Sequence, residues 1–254
     1  MMRLLTDTYW LTGRSLRESS RQVPLEFGNL FIPIFFFAVT VGAIGNVASR
    51  GFGVENYVAF QLPVAILNGV AGAAGSSGLA LVTDIERGYF DKLLLTPAPR
   101  LSLVLGRLTS DAIRLTVLST IILVAGLITG SGMESGPAGA LTILVMSALF
   151  GLAYSSVGVA IALKTGSAQA AQMSFLLFFP LLFLSPAFAP KEVFAGWLQF
   201  LATINPVTYI IEGQRDLVLD GWDMRSLAAA FGSIAGLGAL TLTMVYLGLR
   251  SRVT

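Results

Sequence analysis

Apolar residues along this chain come in long blocks separated by short polar interruptions. A helix that crosses a bilayer needs about 20 predominantly apolar residues. Six stretches read as crossings: 28–47, 57–82, 113–129, 138–163, 170–184 and 227–249. The block 101–129 is too long for one straight span at about 1.5 Å per residue. Its first half carries Arg107, Asp111 and Arg114, spaced four and three and therefore on one helical face. It reads as a cytoplasmic extension that enters the membrane near Ile113.

The interruptions have patterns of their own. Residues 1–24 form an amphipathic helix, with Arg3, Asp7, Arg14, Arg17, Glu18 and Arg21 on one side and Leu5, Tyr9, Thr12 and Leu16 opposite. Trp10 lies near the charged side. Such a helix suits the headgroup plane. Thr83–Arg100 is the most charged run between two apolar blocks. Thr83 with Glu86 three residues on predicts a capping box at a helix start, and Pro97 and Pro99 end that helix. It reads either as a short force-receiving helix or as an ordinary loop. Residues 185–225 are punctuated by Pro186, Pro190, Trp197, Asn205-Pro206 and Trp222. Val193–Thr203 is too short to cross and predicts a re-entrant or interfacial piece, with a second short helix over Val207–Leu219.

Composition sharpens this picture. Only 12% of the 254 residues are charged and 55% are hydrophobic, where a soluble domain carries about 25% charge. The expectation is one all-α polytopic membrane protein over residues 1–254. Gly69, Gly72, Gly75 and Gly78 recur every third residue, a small surface that admits a close neighbouring helix. Six crossings put both termini on one side. With that side cytoplasmic, twelve of the sixteen Lys and Arg lie inside, as the positive-inside rule requires. The prediction is a multi-pass protein of the cell inner (plasma) membrane with both termini cytoplasmic. Arg3 and Asp7 fall too early for a cleavable signal peptide.

The chemistry is sparse. With no Cys and no His, thiolate, imidazole and most zinc chemistry is excluded, and no catalytic or metal site is expected. No G-x-x-x-x-G-K-[ST] run is present, so no P-loop. The span centres offer Asn68, serines and threonines but almost no carboxylate, which argues against ion coupling within this chain. Any energy must come from another chain. The phenylalanines, Phe35, Phe36, Phe175, Phe178 and Phe179 among them, admit two readings: a greasy path, or contacts with lipid and neighbouring helices.

The run Asp84-Ile85-Glu86-Arg87-Gly88-Tyr89-Phe90-Asp91-Lys92-Leu93-Leu94-Leu95-Thr96-Pro97-Ala98-Pro99-Arg100, followed by Gly106-Arg107, resembles the hallmark of type-2 ABC exporter permeases, most nearly the daunorubicin-resistance-type branch. Ser185-Pro186-Ala187-Phe188-Ala189-Pro190, Trp197, Asn205-Pro206-Val207-Thr208-Tyr209 and Arg215 give a second match. Ala98 stands where the pattern usually has Val. The resemblance implies a half-transporter. It pairs with a second permease chain (a homodimer or a close paralogue) and docks a separate P-loop ATPase, two copies per transporter, which binds ATP and Mg. Glu86, Arg87, Gly88, Asp91, Lys92, Pro97 and Arg100 would then form the coupling helix. Gly106, Arg107, Asn205, Pro206 and Arg215 would be structural motif positions. Phe35, Phe36, Asn68, Phe175, Phe178 and Phe179 would lie on the path or the dimer interface of the first and fifth spans. The cargo implied is a hydrophobic or amphipathic, drug-like compound. A lipid or lipid-linked glycan is the alternative cargo. An ion-coupled secondary transporter or a membrane scaffold is the alternative of another class. Nothing points to nucleic acid.

Overall fold

The computed structural model describes residues 2–21, 23–88, 92, 95 and 100–251, and among them it is all-helical. The helices are α1 (Met2–Ser20), α2 (Val23–Gly51), α3 (Tyr57–Glu86), α4 (Arg100–Ile128), α5 (Gly136–Thr165), α6 (Ala168–Leu176), α7 (Phe178–Phe183), α8 (Gly196–Ile204), α9 (Pro206–Leu219) and α10 (Met224–Ser251), with a 3-10 turn at Lys191–Val193. Among the described residues, α2, α3, α4, α5 and α10 are long and apolar enough to cross a membrane.

The fifth expected crossing, 170–184, is not one straight span. It is divided into α6 and α7 at Leu177, and from Ala168 to Phe183 it is shorter than the other apolar helices. Pro180 supplies the reason. It has no N–H to give, and its ring clashes with the carbonyl four residues back, that of Leu176. The flanking segments come out close to expectation: α8 and α9 are short and meet at Asn205-Pro206.

Helix α3 is the axis of the molecule. Of its apolar stretch 83% is buried, against 17% for α2. It touches α2, α4, α5, α6 and α9. The four spaced glycines allow this, but they do not share one face. A period of three drifts about 60° per step on a helix of 3.6 residues per turn. Gly69 therefore meets Leu118 and Ile122 of α4, Gly72 and Gly75 meet Phe175 of α6, and Gly78 meets Gly158 of α5. At that last crossing backbone touches backbone: a Cβ on Gly78 would sit 2.4 Å from the Gly158 carbonyl oxygen.

The polar links gather at two ends. At one end Asn56 caps α3 through its side-chain oxygen (3.0 Å to the Ala59 N–H) and donates to the Gly130 carbonyl at 3.1 Å. Beside it, the Ser135 N–H donates to the Leu217 carbonyl of α9. At the other end Leu81, Val104, Leu108, Leu163, Val245 and Leu249 form a separate apolar cluster that Leu11 of α1 joins. Helix α1 seats on α4 through Leu11 and Thr12, and the Thr12 hydroxyl donates to the Gly106 carbonyl at 3.1 Å. Tyr9, on the side opposite the charges, is 71% exposed beside the exposed Trp10. The seat selects the Leu11 side because that is where Gly106 has no side chain to block it.

Candidate functional site

Two features stand out, a knot of charges at the α1 end and an open groove beside α3. The knot follows from two polar stripes. On α4, Arg107, Asp111 and Arg114 share a face; on α3, Ser77 and Asp84 are seven apart and share another. Packing α3 on α4 turns the stripes toward each other. Asp84 accepts from Arg107 at 3.0 Å and from Arg14 of α1 at 3.1 Å. Arg107 also donates to the Ser77 carbonyl at 3.2 Å. The Ser77 hydroxyl donates to Asp111. Arg114 lies 3.5 Å from Asp111 and bonds Glu26 of α2 at 2.8 Å, the Ala73 carbonyl and Ser76.

The knot therefore joins four helices, and its three arginines pair with four carboxylates, Glu18 at 3.9 Å from Arg14 being the outermost. Asp84, Arg107 and Asp111 are all below a tenth exposed. In such surroundings an unpaired charge is expensive, so the pairing is obligatory. The sequence puts Arg107, Asp111 and Arg114 on one face, as found, but that face points inward onto α3 and not into water. Asp84, Arg14, Ser77 and Glu26 were missed as their partners. The signal was the second polar stripe, on α3.

The run 83–100 begins differently from the expected helix start. Thr83 is no cap. It lies in the last turn of α3, and its hydroxyl donates to the Leu79 carbonyl at 3.1 Å. Helix α3 ends at Arg87, and Gly88 turns the chain at φ +65°, a conformation that favours glycine. Glu86, Arg87 and Lys92 are exposed or nearly so on this turn. Asp91 and Pro97 lie outside the described residues, as does the side chain of Arg100 at the start of α4. Gly106 and Arg107 hold two different joints: Gly106 admits α1, and Arg107 fastens α4 to α3.

The motif residues at the opposite end form a structural brace. Asn205 caps α9 by accepting from the Val207 N–H at 3.0 Å and donates to the Leu181 carbonyl of α7, with Pro206 in the first turn. Arg215 is buried, lies 3.5 Å over the Phe60 ring, and donates to the Phe60 and Pro186 carbonyls at 3.2 and 2.9 Å. Burial lowers its pKa to about 10. Lys191 pairs with Glu212 at 2.9 Å, and that hydrogen bond raises the lysine pKa.

The groove runs between α2 and α6 with α3 as its floor, and holds about 860 Å³. Asn68 and Phe175 line it, with Asn29, Ile32, Gln172 and Met173 among the others. The remaining phenylalanines divide. Phe35 and Phe36 are half-exposed on the outer side of α2, where Phe27, Phe31 and Phe35 stack at 5.7 Å spacing. Phe179 bridges Phe175 and Phe183 in a second ladder. Phe178 is a correction. It is fully buried against Phe150 and Tyr154, so it belongs to the core and not to a path wall. Among the described residues no cluster of acidic side chains suits a metal ion.

Comparison with known proteins agrees with the motif residues. The family model described as ABC-2 type transporter matches residues 6–219. The daunorubicin resistance ABC transporter permease protein DrrB1 of Streptomyces coeruleorubidus is 24% identical over 85% of this chain and 77% of its own length. The probable doxorubicin resistance ABC transporter permease protein DrrC of Mycobacterium tuberculosis is 24% identical over 98% of this chain and 90% of its own. A probable multidrug ABC transporter permease of Escherichia coli, YbhR, is 26% identical over 63% of this chain and 46% of its own. With a match that spans both motifs and most of the helices between them, the chain belongs to the ABC-2 type transporter family as a membrane-spanning permease.

Proposed function

We propose that this permease is the transmembrane half of an exporter that moves hydrophobic or amphipathic, drug-like compounds out of the cytoplasm or the inner leaflet. ATP and Mg are bound by a separate P-loop ATPase, present twice per transporter, and a second permease chain completes the membrane unit. The complex sits in the inner (plasma) membrane with both termini cytoplasmic. The ATPase engages the run 83–100 at Glu86, Arg87, Gly88, Asp91, Lys92, Pro97 and Arg100.

The observation that carries this reading is the position of Asp84. It lies one turn from the exposed Glu86–Gly88 end of α3 and ties that end to α1 and α4. Through Ser77, Asp111 and Arg114 the same network reaches Glu26 of α2. A push on the turn is therefore delivered to α2 and α3, two of the three walls of the groove, as a rigid-body displacement. The relatives' names, drug resistance and multidrug permeases, supply the cargo class.

The test is charge reversal at the turn. Glu86→Lys, co-expressed with the ATPase, should abolish ATP-dependent uptake into inside-out vesicles or prevent capture of the ATPase, with the permease still folded by size exclusion. Wild-type uptake together with wild-type capture would refute the assignment of the coupling turn.

A further inference from the structure

The groove beside α3 has an unusual lining for a site meant for charged drugs. Among the described residues that line it there is no Asp, Glu, Lys or Arg. Its polar groups are the carboxamides of Asn29, Asn68, Gln169 and Gln172 and the hydroxyls of Ser76 and Ser167. Two charges beside it, Glu26 and Arg114, are committed to each other. They bond at 2.8 Å, and Arg114 is further held by the Ala73 carbonyl and by Ser76, itself a lining residue. One donor has nothing to bond: Asn29 Nδ2 is buried without a hydrogen-bond partner. A buried N–H of this kind favours a ligand that brings an acceptor.

We infer that the groove between α2, α3 and α6 selects uncharged amphiphiles that carry a carbonyl, ester or amide acceptor, and discriminates against organic cations of the same size. This deepens the exporter reading and rests on it for the claim that what binds is cargo. An ammonium group that enters loses its hydration and finds only neutral dipoles, which do not replace a counter-ion in a low-dielectric setting. A neutral amide loses less on entry and regains a hydrogen bond from Asn29. The volume suits a drug-sized molecule. A second copy that closed the groove through these same residues would add no charge to it.

The test uses two fluorescent probes that differ in one group: monodansylcadaverine, which ends in an ammonium, and its N-acetyl derivative, which ends in an amide. Each is titrated against the full-length chain in phosphatidylcholine nanodiscs at neutral pH, with protein-free nanodiscs as the partition control. The acetylated probe should bind saturably and at least about tenfold more tightly, which is about 1.4 kcal/mol. Asn68→Asp, a near-isosteric change, should shift the ratio at least about tenfold toward the ammonium probe, and Asn29→Leu should weaken the acetylated probe alone. Equal or tighter binding of the ammonium probe by the wild-type chain overturns the inference. So does the absence of saturable binding, or an Asn68→Asp chain that folds but leaves the ratio unchanged. Binding needs no ATP, so the two readings separate: an acetylated probe that binds preferentially but is not moved by ATP counts against the exporter and leaves the neutral-cargo selectivity standing.

Discussion

Asp84 is the residue whose loss should do most damage at least cost in volume. Its carboxylate accepts from Arg107 at 3.0 Å and Arg14 at 3.1 Å, and its side chain is 10% exposed. The two partners differ. Arg107 is 9% exposed at its side chain and, among the described residues, has the Ser77 carbonyl as its other hydrogen-bond partner, whereas Arg14 is 36% exposed, also lies 3.9 Å from Glu18, and can return to water. Asp84→Ala therefore strands one buried guanidinium, a loss of about 3–5 kcal/mol. Arg14→Ala removes a surface-like pair and should cost about 1 kcal/mol or less. Asp84→Asn keeps an acceptor but loses the charge, and should fall between them. The double change Asp84→Leu with Arg107→Met removes both buried charges and should recover much of the loss, since apolar replacements of a buried pair are often neutral. Thermal unfolding of the purified chain in one detergent, followed by tryptophan fluorescence, reads all four. For a chain of this size 3–5 kcal/mol corresponds to a fall of roughly 6–20 °C. If Asp84→Ala melted within about 2 °C of wild type, or the double variant were no more stable than the single one, the obligatory pairing of the knot would be refuted.

Two further expectations follow from packing and charge. Gly78→Ala puts a methyl against the Gly158 backbone, where neither side can yield, and should cost about 1–3 kcal/mol in the same melting assay. Gly72→Ala meets only Phe175 at 3.6 Å and should leave the melt within about 2 °C, so equal losses would refute the crossing point. The Lys191–Glu212 pair raises the lysine pKa, so its contribution is fully present below the lysine's unfolded pKa and is lost only as pH rises through the higher folded value. Lys191→Met should therefore lower stability by a constant amount, about 1 kcal/mol or less given its 40% exposure, across pH 6 to about 9. A difference that grew within that range would show another titrating partner.

The face assignments were the hard part of the sequence. Arg107, Asp111 and Arg114 show their common face by spacing alone, yet spacing does not say whether that face meets water or another helix. Thr83 and Glu86 have the spacing of a capping box, but α3 runs on through both, and the Thr83 hydroxyl is spent on Leu79. Phe175 and Phe178 look alike in the sequence, three residues apart in one aromatic run. One lines the groove and the other is fully buried beside Tyr154. A soluble helix betrays its inner side by amphipathicity. A membrane helix is apolar toward lipid and toward its neighbours, so that signal is absent.

The sequence by itself determined the helical, membrane-spanning class, the positions of most of the long apolar helices, and the two motifs that mark the family. Those depend on block length, charge and local residue identity, all readable along one dimension. The tertiary structure decided how these parts are used. Packing α3 against α4 turned two polar stripes into one ion-paired knot centred on Asp84. Pro180 divided the fifth crossing, and the drift of the α3 glycines spread its contacts over three helices. What remained between α2 and α6 was a groove whose described lining residues carry no charge, while Glu26 and Arg114 beside it pair with each other.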